Sequence, residues 1–432
     1  MKICVIGTGY VGLVTGVCLA DFGLDVVCVD KDSAKIALLN SGCTPICEPR
    51  LDDIIGRNME AGRLSFTVEV KKAVQEASVI FVAVGTPSDD DGSANLKDIE
   101  KVAEEIAAYM NGHKVVVIKS TVPMGTVRRI GRIIHMNNTT HSFDIVSNPE
   151  FLREGSAVYD FMHPDKVVIG ADSESAIAVM KEIYRPLYLI ETPFIITTIE
   201  TAETIKYACN CFLATKITYI NEMANLCEMV GADIHSVAKA MGLDKRIGPK
   251  FLHPGPGYGG SCLPKDTYAL RSFVMGKGYD FKILNAVIEA NEHQVDVMVE
   301  KARRALKDFE GKTIGVLGLS FKQNTDDIRE SPAVKIITLF VKHGAKVRCF
   351  DPLAMDNVKK VLPDIIYCKD EYETAQGCDA LVVATEWNQF RNLDLEKIKE
   401  LLESPILLDL RNLYDPTKVR KLGFTYDSVG RH

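Results

Sequence analysis

Apolar residues run unbroken for four to six positions at several points along this chain. Between those runs they recur every three or four positions. The first such stretch, KICVIGTGYVGLVTGVCLADFGLDVVCVDKD (residues 2–32), predicts strand, glycine turn, helix and strand. KICVIG and DVVCVD are continuous apolar runs of the kind a parallel sheet buries on both faces. SVIFVAVGTP (78–87), KVVVIKSTVP (114–123) and DIVSNPEF (144–151) predict further strands, with helical patterns such as LKDIEKVAEEIAAYM (96–110) between them. This alternation predicts a doubly wound α/β domain ending near residue 195.

The pattern then changes. ETAETIKYACNCFLATKITYINEMANLCEMVG (200–231) contains no proline, and no glycine before Gly231, which predicts one long helix in an all-helical middle region. After Gly311 the alternation resumes at KTIGVLGLSFK, AKVRCFDP, DALVVATEW and PILLDLRN, without a full glycine fingerprint. The expected fold is α/β: two Rossmann-like doubly wound domains joined by a long helix in an all-helical central domain. Its expected parts are residues 1–198, 199–305 and 306–432. PGYGGSCLPKD (256–266) is so rich in Gly and Pro that a shaped loop is expected over its whole length.

At 432 residues the chain can bury two or three cores, and its 47% hydrophobic and 25% charged content is that of an ordinary globular protein. A net charge of −7 argues against a nucleic-acid surface. The uncharged run Ile3–Ala20 has the length of a signal peptide or a short membrane span, but Gly7, Gly9, Gly12 and Gly16 interrupt it and strand–turn–helix explains it better. No membrane partner is expected. The 12 cysteines lie mostly inside apolar runs and show no metal-ligand spacing with histidine. Buried structural thiols in a reducing, cytoplasmic compartment, with no metal, are therefore expected.

Gly7-x-Gly9-x-x-Gly12 between a strand and a helix, with Asp30 closing the next strand, fits a dinucleotide site. The glycines let the backbone approach a pyrophosphate at the helix N-terminus, and Asp30 accepts from a ribose 2′-hydroxyl while repelling a 2′-phosphate, which favours NAD. Lys35 is placed to add charge at the adenosine end; a solvated lysine is the plain alternative. Thr86 and Thr121 follow strands, where open sheets bind ligands, although ordinary turn chemistry explains them equally well. Glu150 and Glu154, four apart, are expected on one helical face as an acid/base pair; so are Lys206 and Asn210, suited to an oxyanion. Surface positions are the alternative for both pairs. Cys262 stands among glycines beside Lys265, which favours its thiolate, with Asp266 to relay protons or orient water. A thiol beside an NAD site suggests aldehyde oxidation through a thiohemiacetal and a thioester.

GTGYVGL, STVPMGT, NPEFLREGSA, GPGYGGSCLPKD and FKQNTDDIRESPA together resemble the nucleotide-sugar 6-dehydrogenases, in order and through almost the whole chain. The resemblance implies oxidation of the C6 alcohol of UDP-glucose to the carboxylate, with two NAD+ reduced and one water consumed. It makes Cys262 the nucleophile and Glu150, Lys206 and Asp266 the acid/base group working through a water held by Thr121, with Asn210 helping Lys206. It implies substrate contacts at Glu150, Phe151, Leu152, Arg153, Glu154, Lys206, Asn210, Phe251, Leu252, His253, Pro254, Gly255, Gly259, Lys322 and Arg411, the loop glycines making room for the sugar. His253 is the weakest of these by chemistry. Cofactor contacts are implied at Gly7, Gly9, Val11, Gly12, Asp30, Lys35, Thr86, Thr121, Glu154, Lys265 and Arg329. Arg246 resembles an arginine donated across a homodimer, and the long helix would then serve as the dimer core.

Three other readings remain open at this stage. A sister enzyme acting on GDP-mannose or UDP-N-acetylmannosamine shares the chemistry, although Ser261, where the acetamido-sugar branch tends to place histidine, favours UDP-glucose. A two-electron hydroxyacid dehydrogenase would not need Cys262. A non-catalytic nucleotide-sugar-binding regulator would tolerate its loss.

Overall fold

Eight strands build the first sheet of the computed structural model, which describes residues 1–138 and 140–431. They are β1 (Lys2–Ile6), β2 (Asp25–Val29), β3 (Leu64–Thr67), β4 (Val79–Val82), β5 (Lys114–Ile118), β6 (Phe143–Ser147), β7 (Val167–Gly170) and β8 (Phe194–Thr197), in the order β3-β2-β1-β4-β5-β6-β7-β8. All neighbours are parallel except β6 and β7. The apolar runs explain themselves along β1. Ile3 and Val5 pack with Leu13, Val14 and Val17 on one face, while Cys4 and Ile6 pack with Ile99, Val102 and Ile106 on the other. With both faces covered, no polar position is needed.

A second sheet of six strands holds β9 (Thr313–Leu317), β10 (Lys346–Phe350), β11 (Ile366–Tyr367), β12 (Ala380–Val383), β13 (Ile406–Asp409) and β14 (Thr425–Ser428). Its order, β11-β10-β9-β12-β13-β14, repeats that of the first six strands of the other sheet, and it is parallel throughout. The expected α/β class with two doubly wound sheets and a helical middle is what the chain forms.

The chain divides into two compact units, Met1–Cys209 and Asn210–His432. One helix, Ile199–Val230, contains the division. The middle helices include Ile234–Leu243, Leu263–Met275 and Lys282–Leu306.

Two local expectations are corrected. Residues 150–154 are not helical: the chain after β6 stays irregular until the helix Ala157–Met162, so Glu150 and Glu154 do not share a helical face. Pro149, Gly155 and a burial-driven turn of Glu150 inward win over the i, i+4 spacing. The Gly/Pro-rich loop is also shorter than expected, ending at Cys262, because Pro264 stands in the first helical turn, where its missing N–H costs nothing.

Candidate active site

The glycine turn after β1 is shaped by close approach. Gly7 has φ +100°, and a Cβ there would sit 2.7 Å from the Ala83 carbonyl oxygen. A Cβ on Gly12 would meet the Gly7 carbonyl oxygen at 1.9 Å. Around Gly9 the space is open, and the helix Tyr10–Asp21 begins there with no side-chain cap and no acid in its first turn. Its leading N–H groups therefore face an anion-sized cradle, which fits a dinucleotide pyrophosphate. Val11 lies half-buried in that first turn.

Asp30, just after β2, accepts from the Thr8 N–H and hydroxyl, both at 2.8 Å, from the Asp32 N–H at 3.0 Å, and pairs with Lys35 at 3.4 Å. Burial pushes its carboxyl up, but those N–H and O–H donors and the lysine outweigh it and hold the group below the ordinary range. The acid is thus ionised and tied to the glycine turn. Thr86 donates its hydroxyl to the Thr121 carbonyl at 2.8 Å, which joins the loops at the carboxyl ends of β4 and β5.

In the same unit Glu150 and Lys206 form a buried ion pair at 2.8 Å, each side chain 4% exposed. Glu150 also accepts the Leu152 N–H at 2.6 Å. Burial raises its carboxyl, and Lys206, the Leu152 N–H and Lys119 reverse that, so it sits below the usual carboxylate range. The Phe151 ring lies 4.2 Å from the Lys166 ammonium and 5.4 Å from that of Lys206. Leu152 packs on the core, Arg153 is exposed and paired with Asp160 at 2.5 Å, and Glu154 is half-buried.

In the second unit Cys262 is half-buried and is the residue immediately before the helix Leu263–Met275. Its thiol lies 3.4 Å from the Ser261 hydroxyl. A helix N-terminus favours a thiolate. The expectation that Lys265 supplies that charge is modified: its ammonium is paired at 2.6 Å with Asp266. Asp266, 1% exposed, also accepts the Asn210 amide at 2.6 Å. By contrast, burial pushes the Cys4 and Cys349 thiols up to about 12, as expected of inert structural cysteines.

The loop before Cys262 is held by amides. Gly255 donates its N–H to Asn221 at 2.9 Å and accepts from Gln294 at 2.9 Å, while Tyr258 donates its N–H to Asn291 at 2.8 Å. Phe251 has φ +65°, a strained conformation for a side chain of that size. Leu252 and Pro254 are buried and His253 is exposed. Two of the loop glycines are required by the protein's own packing: a Cβ on Gly259 would stand 2.3 Å from the Glu330 carbonyl oxygen, and one on Gly260 2.7 Å from the Phe321 ring.

Arg411 is anchored, donating to the Ala384 carbonyl at 2.9 Å and the Phe321 carbonyl at 3.0 Å, and pairing with Glu386 at 3.1 Å. Lys322 follows Phe321, 5.5 Å from its ring. Arg329 pairs with Asp327 at 2.8 Å, and Arg246 is exposed and folded onto Asp244 at 2.6 Å.

Sequence reasoning missed Lys119, Asn148, Asn221, Asn291 and Gln294. The available signal was a polar residue at an apolar position of a strand end or helix, which predicts a buried hydrogen-bond partner. Among the described residues no group of three or more His, Cys, Asp or Glu is placed to hold a metal ion, and no helix is long and apolar enough to cross a membrane.

A doubly wound sheet with an uncapped glycine turn and an acid just after β2 defines a dinucleotide-binding domain. The UDP-glucose/GDP-mannose dehydrogenase family matches in three parts: its NAD binding domain over residues 1–188, its central domain over 200–293 and its UDP binding domain over 315–416. The chain is 50% identical over 435 residues to UDP-glucose 6-dehydrogenase of Rhizobium meliloti, covering 100% of both. It is 45% identical over 432 residues to UDP-glucose 6-dehydrogenase TuaD of Bacillus subtilis, covering 100% of this chain and 93% of that one. A UDP-glucose dehydrogenase structure from Pyrobaculum islandicum superposes with a TM-score of 0.93 at 37% identity, covering 100% of this chain and 98% of that one. The chain belongs to the UDP-glucose/GDP-mannose dehydrogenase family and is an NAD-dependent dehydrogenase. That membership sets aside the two-electron hydroxyacid reading.

Proposed function

We propose that this chain oxidises UDP-glucose to UDP-glucuronate, reducing two NAD+ and consuming one water. The observation that carries the four-electron chemistry is Cys262, a half-buried thiol at a helix N-terminus in a chain that also holds the dinucleotide turn. When bound, NAD+ takes one hydride from C6 in each of two oxidations. The chain's residues do the rest. Glu150, paired with Lys206, takes the alcohol proton through a water held by Thr121. The Cys262 thiolate adds to the resulting aldehyde carbon. Lys206 and Asn210 stabilise the oxygen that becomes negative, and loss of the second hydride leaves a thioester. Asp266 orients the water that adds to it and takes its first proton; the C–S bond breaks, the thiolate returns, the second proton passes to solvent and the carboxylate leaves.

The remaining contacts follow the resemblance: residues 150–154, 251–255, Gly259, Lys322 and Arg411 for the sugar nucleotide, and Asp30, Lys35, Thr86, Lys265 and Arg329 for the dinucleotide. The working parts are residues 1–198, 199–305 and 306–432, a division supported by three separate family profiles. The same reading takes the protein as cytoplasmic and as a homodimer or higher homo-oligomer: Cys262 must stay reduced to act, and an apolar stripe stands exposed on the helix Ile199–Val230.

The test is NADH released per mole of limiting UDP-glucose, with GDP-mannose and UDP-N-acetylmannosamine run alongside. Two per UDP-glucose are expected. A single NADH, or turnover of only another sugar nucleotide, overturns the reading. Cys262→Ala abolishes the second oxidation and Cys262→Ser accumulates a covalent ester by mass spectrometry; a full NADH yield from Cys262→Ala removes the covalent route and leaves the regulator's tolerance of that change to explain.

A further inference from the structure

Lys119 has no part in the mechanism above, yet it is buried directly beside it in sequence and in the fold. It follows β5, two residues before Thr121, and is 4% exposed. Its ammonium donates to the Asn148 side-chain oxygen at 3.1 Å, to the Asn148 carbonyl at 3.4 Å and to the Tyr184 hydroxyl at 3.3 Å. All three acceptors are neutral. Tyr184 in turn donates to Asn148 at 2.7 Å, and the Asn148 amide donates to the Val168 carbonyl at 2.8 Å, so the acceptors are locked in place. A lysine held this way is costly, because neutral hydrogen bonds only partly replace hydration.

Asn148, which it bonds, lies two residues before Glu150 in the segment after β6, and Tyr184, which it also bonds, ends the helix Glu174–Ile183; the charges that act on it are Glu150 and Lys206, from the long helix. Lys206 alone already neutralises Glu150. The group of three therefore holds two ammonium groups against one carboxylate. We propose that Lys119 is a positioning charge: its buried ammonium holds Glu150, already paired with Lys206, in the carboxylate form that takes the substrate's proton. This rests on the acid/base role of Glu150 given above. The electrostatics agree. Lys119 lowers the Glu150 carboxyl, and burial, opposed by Glu150 and aided by Lys206, brings Lys119 itself down to about 8.

The experiment is the pH profile of kcat/KM for UDP-glucose, at saturating NAD+, in wild type, Lys119→Met and Lys119→Arg. Methionine keeps the length and removes the charge; arginine keeps the charge at every pH used. In Lys119→Met the acid limb moves up, because Glu150 loses a cation that favoured its ionised form. In Lys119→Arg the limb stays at the wild-type position. An acid limb that is unmoved in Lys119→Met, or that moves equally in both variants, overturns the proposal. Glu150→Gln separates this from the wider reading. If it keeps the wild-type rate, the role of Glu150 itself fails; if it loses rate while Lys119→Met leaves the limb in place, only the role of Lys119 fails.

Discussion

A lysine ammonium moved from water into a packed interior loses hydration that three neutral hydrogen bonds do not restore, and Lys119 makes that cost measurable against pH. Its group falls to about 8 when folded, against 10.5 for an ordinary lysine. Below pH 8 both the folded and unfolded chains hold the proton, and the full cost is present. Between about 8 and 10.5 the unfolded chain holds the proton and the folded chain does not, so stability rises with pH at about 1.4 kcal/mol per unit. Lys119→Met removes the cost at every pH. Its urea midpoint is therefore expected above wild type at pH 7.5, by an amount worth about 3 kcal/mol at most, with the gap narrowing steadily towards pH 10. A gap that stays constant across that range would mean that Lys119 does not change charge there. This residue was only partly legible in the sequence: a lysine at an apolar strand end signals a buried partner but not which one. KSTVP reads as the end of a strand, and nothing local says that its lysine turns inward to Asn148 and Tyr184, which arrive from segments about 30 and 65 residues away. Asp30 was legible because its role depends on its place at the end of the second strand. Glu150 was singled out together with Glu154, but the structure pairs it with Lys206, 56 residues away, whereas Glu154 was merely near in sequence.

Elements followed the hydrophobic pattern wherever burial acts on both faces. β1, β4 and β5 are almost wholly buried and stand as continuous apolar runs. β3, β7, β8, β11 and β14 were not foreseen; β3, β8, β11 and β14 are edge strands of two to four residues with exposed positions, so little of their sequence is dictated by packing, whereas β7 is buried throughout and was simply overlooked. The long helix was plain from the absence of Gly and Pro. The Gly/Pro-rich loop before Cys262 was half plain: its glycines announced a turn, but two of them are required by segments far along the chain. Gly259 is the clearest case. Its neighbours Glu330 and Pro332 belong to the segment after β9, and a Cβ would meet the Glu330 carbonyl oxygen at 2.3 Å and the Pro332 ring at 2.9 Å. Backbone and a proline ring cannot swing aside as a flexible side chain would. Gly259→Ala is therefore expected to displace the loop that carries Cys262, lowering kcat/KM for UDP-glucose at least tenfold while KM for NAD+ stays within about twofold, as measured by steady-state kinetics. Unchanged kinetics would mean that the loop and the 330 segment separate freely.

At the scale of the molecule the open issue is what covers the exposed face of the long helix. Phe212, Tyr219 and Leu226, at 63%, 52% and 46% exposure, are spaced by seven and form one stripe, which Met229 and Val230 extend. A helix face of that composition is the kind a soluble chain buries against a partner. In an isologous pair each residue counts twice, and these five side chains would supply roughly 10 kcal/mol of transfer free energy. That is comparable with the cost of bringing two chains together, so a pair of long helices is a sufficient nucleus for a dimer and Arg246 need not contribute to its stability. Arg246 stands exposed and paired with its neighbour Asp244, and its service to a partner's sugar nucleotide is the proposal to be tested. Light scattering is expected to give twice the 47.7 kDa chain mass. Phe212→Asp combined with Leu226→Asp is expected to halve that mass and, if Arg246 acts across the pair, to raise KM for UDP-glucose while NAD+ affinity holds. Arg246→Ala in the intact dimer should then raise the same KM with no change in mass. A dimer that survives both aspartates would place the interface elsewhere, and a monomer with an unaltered KM would return Arg246 to its own chain.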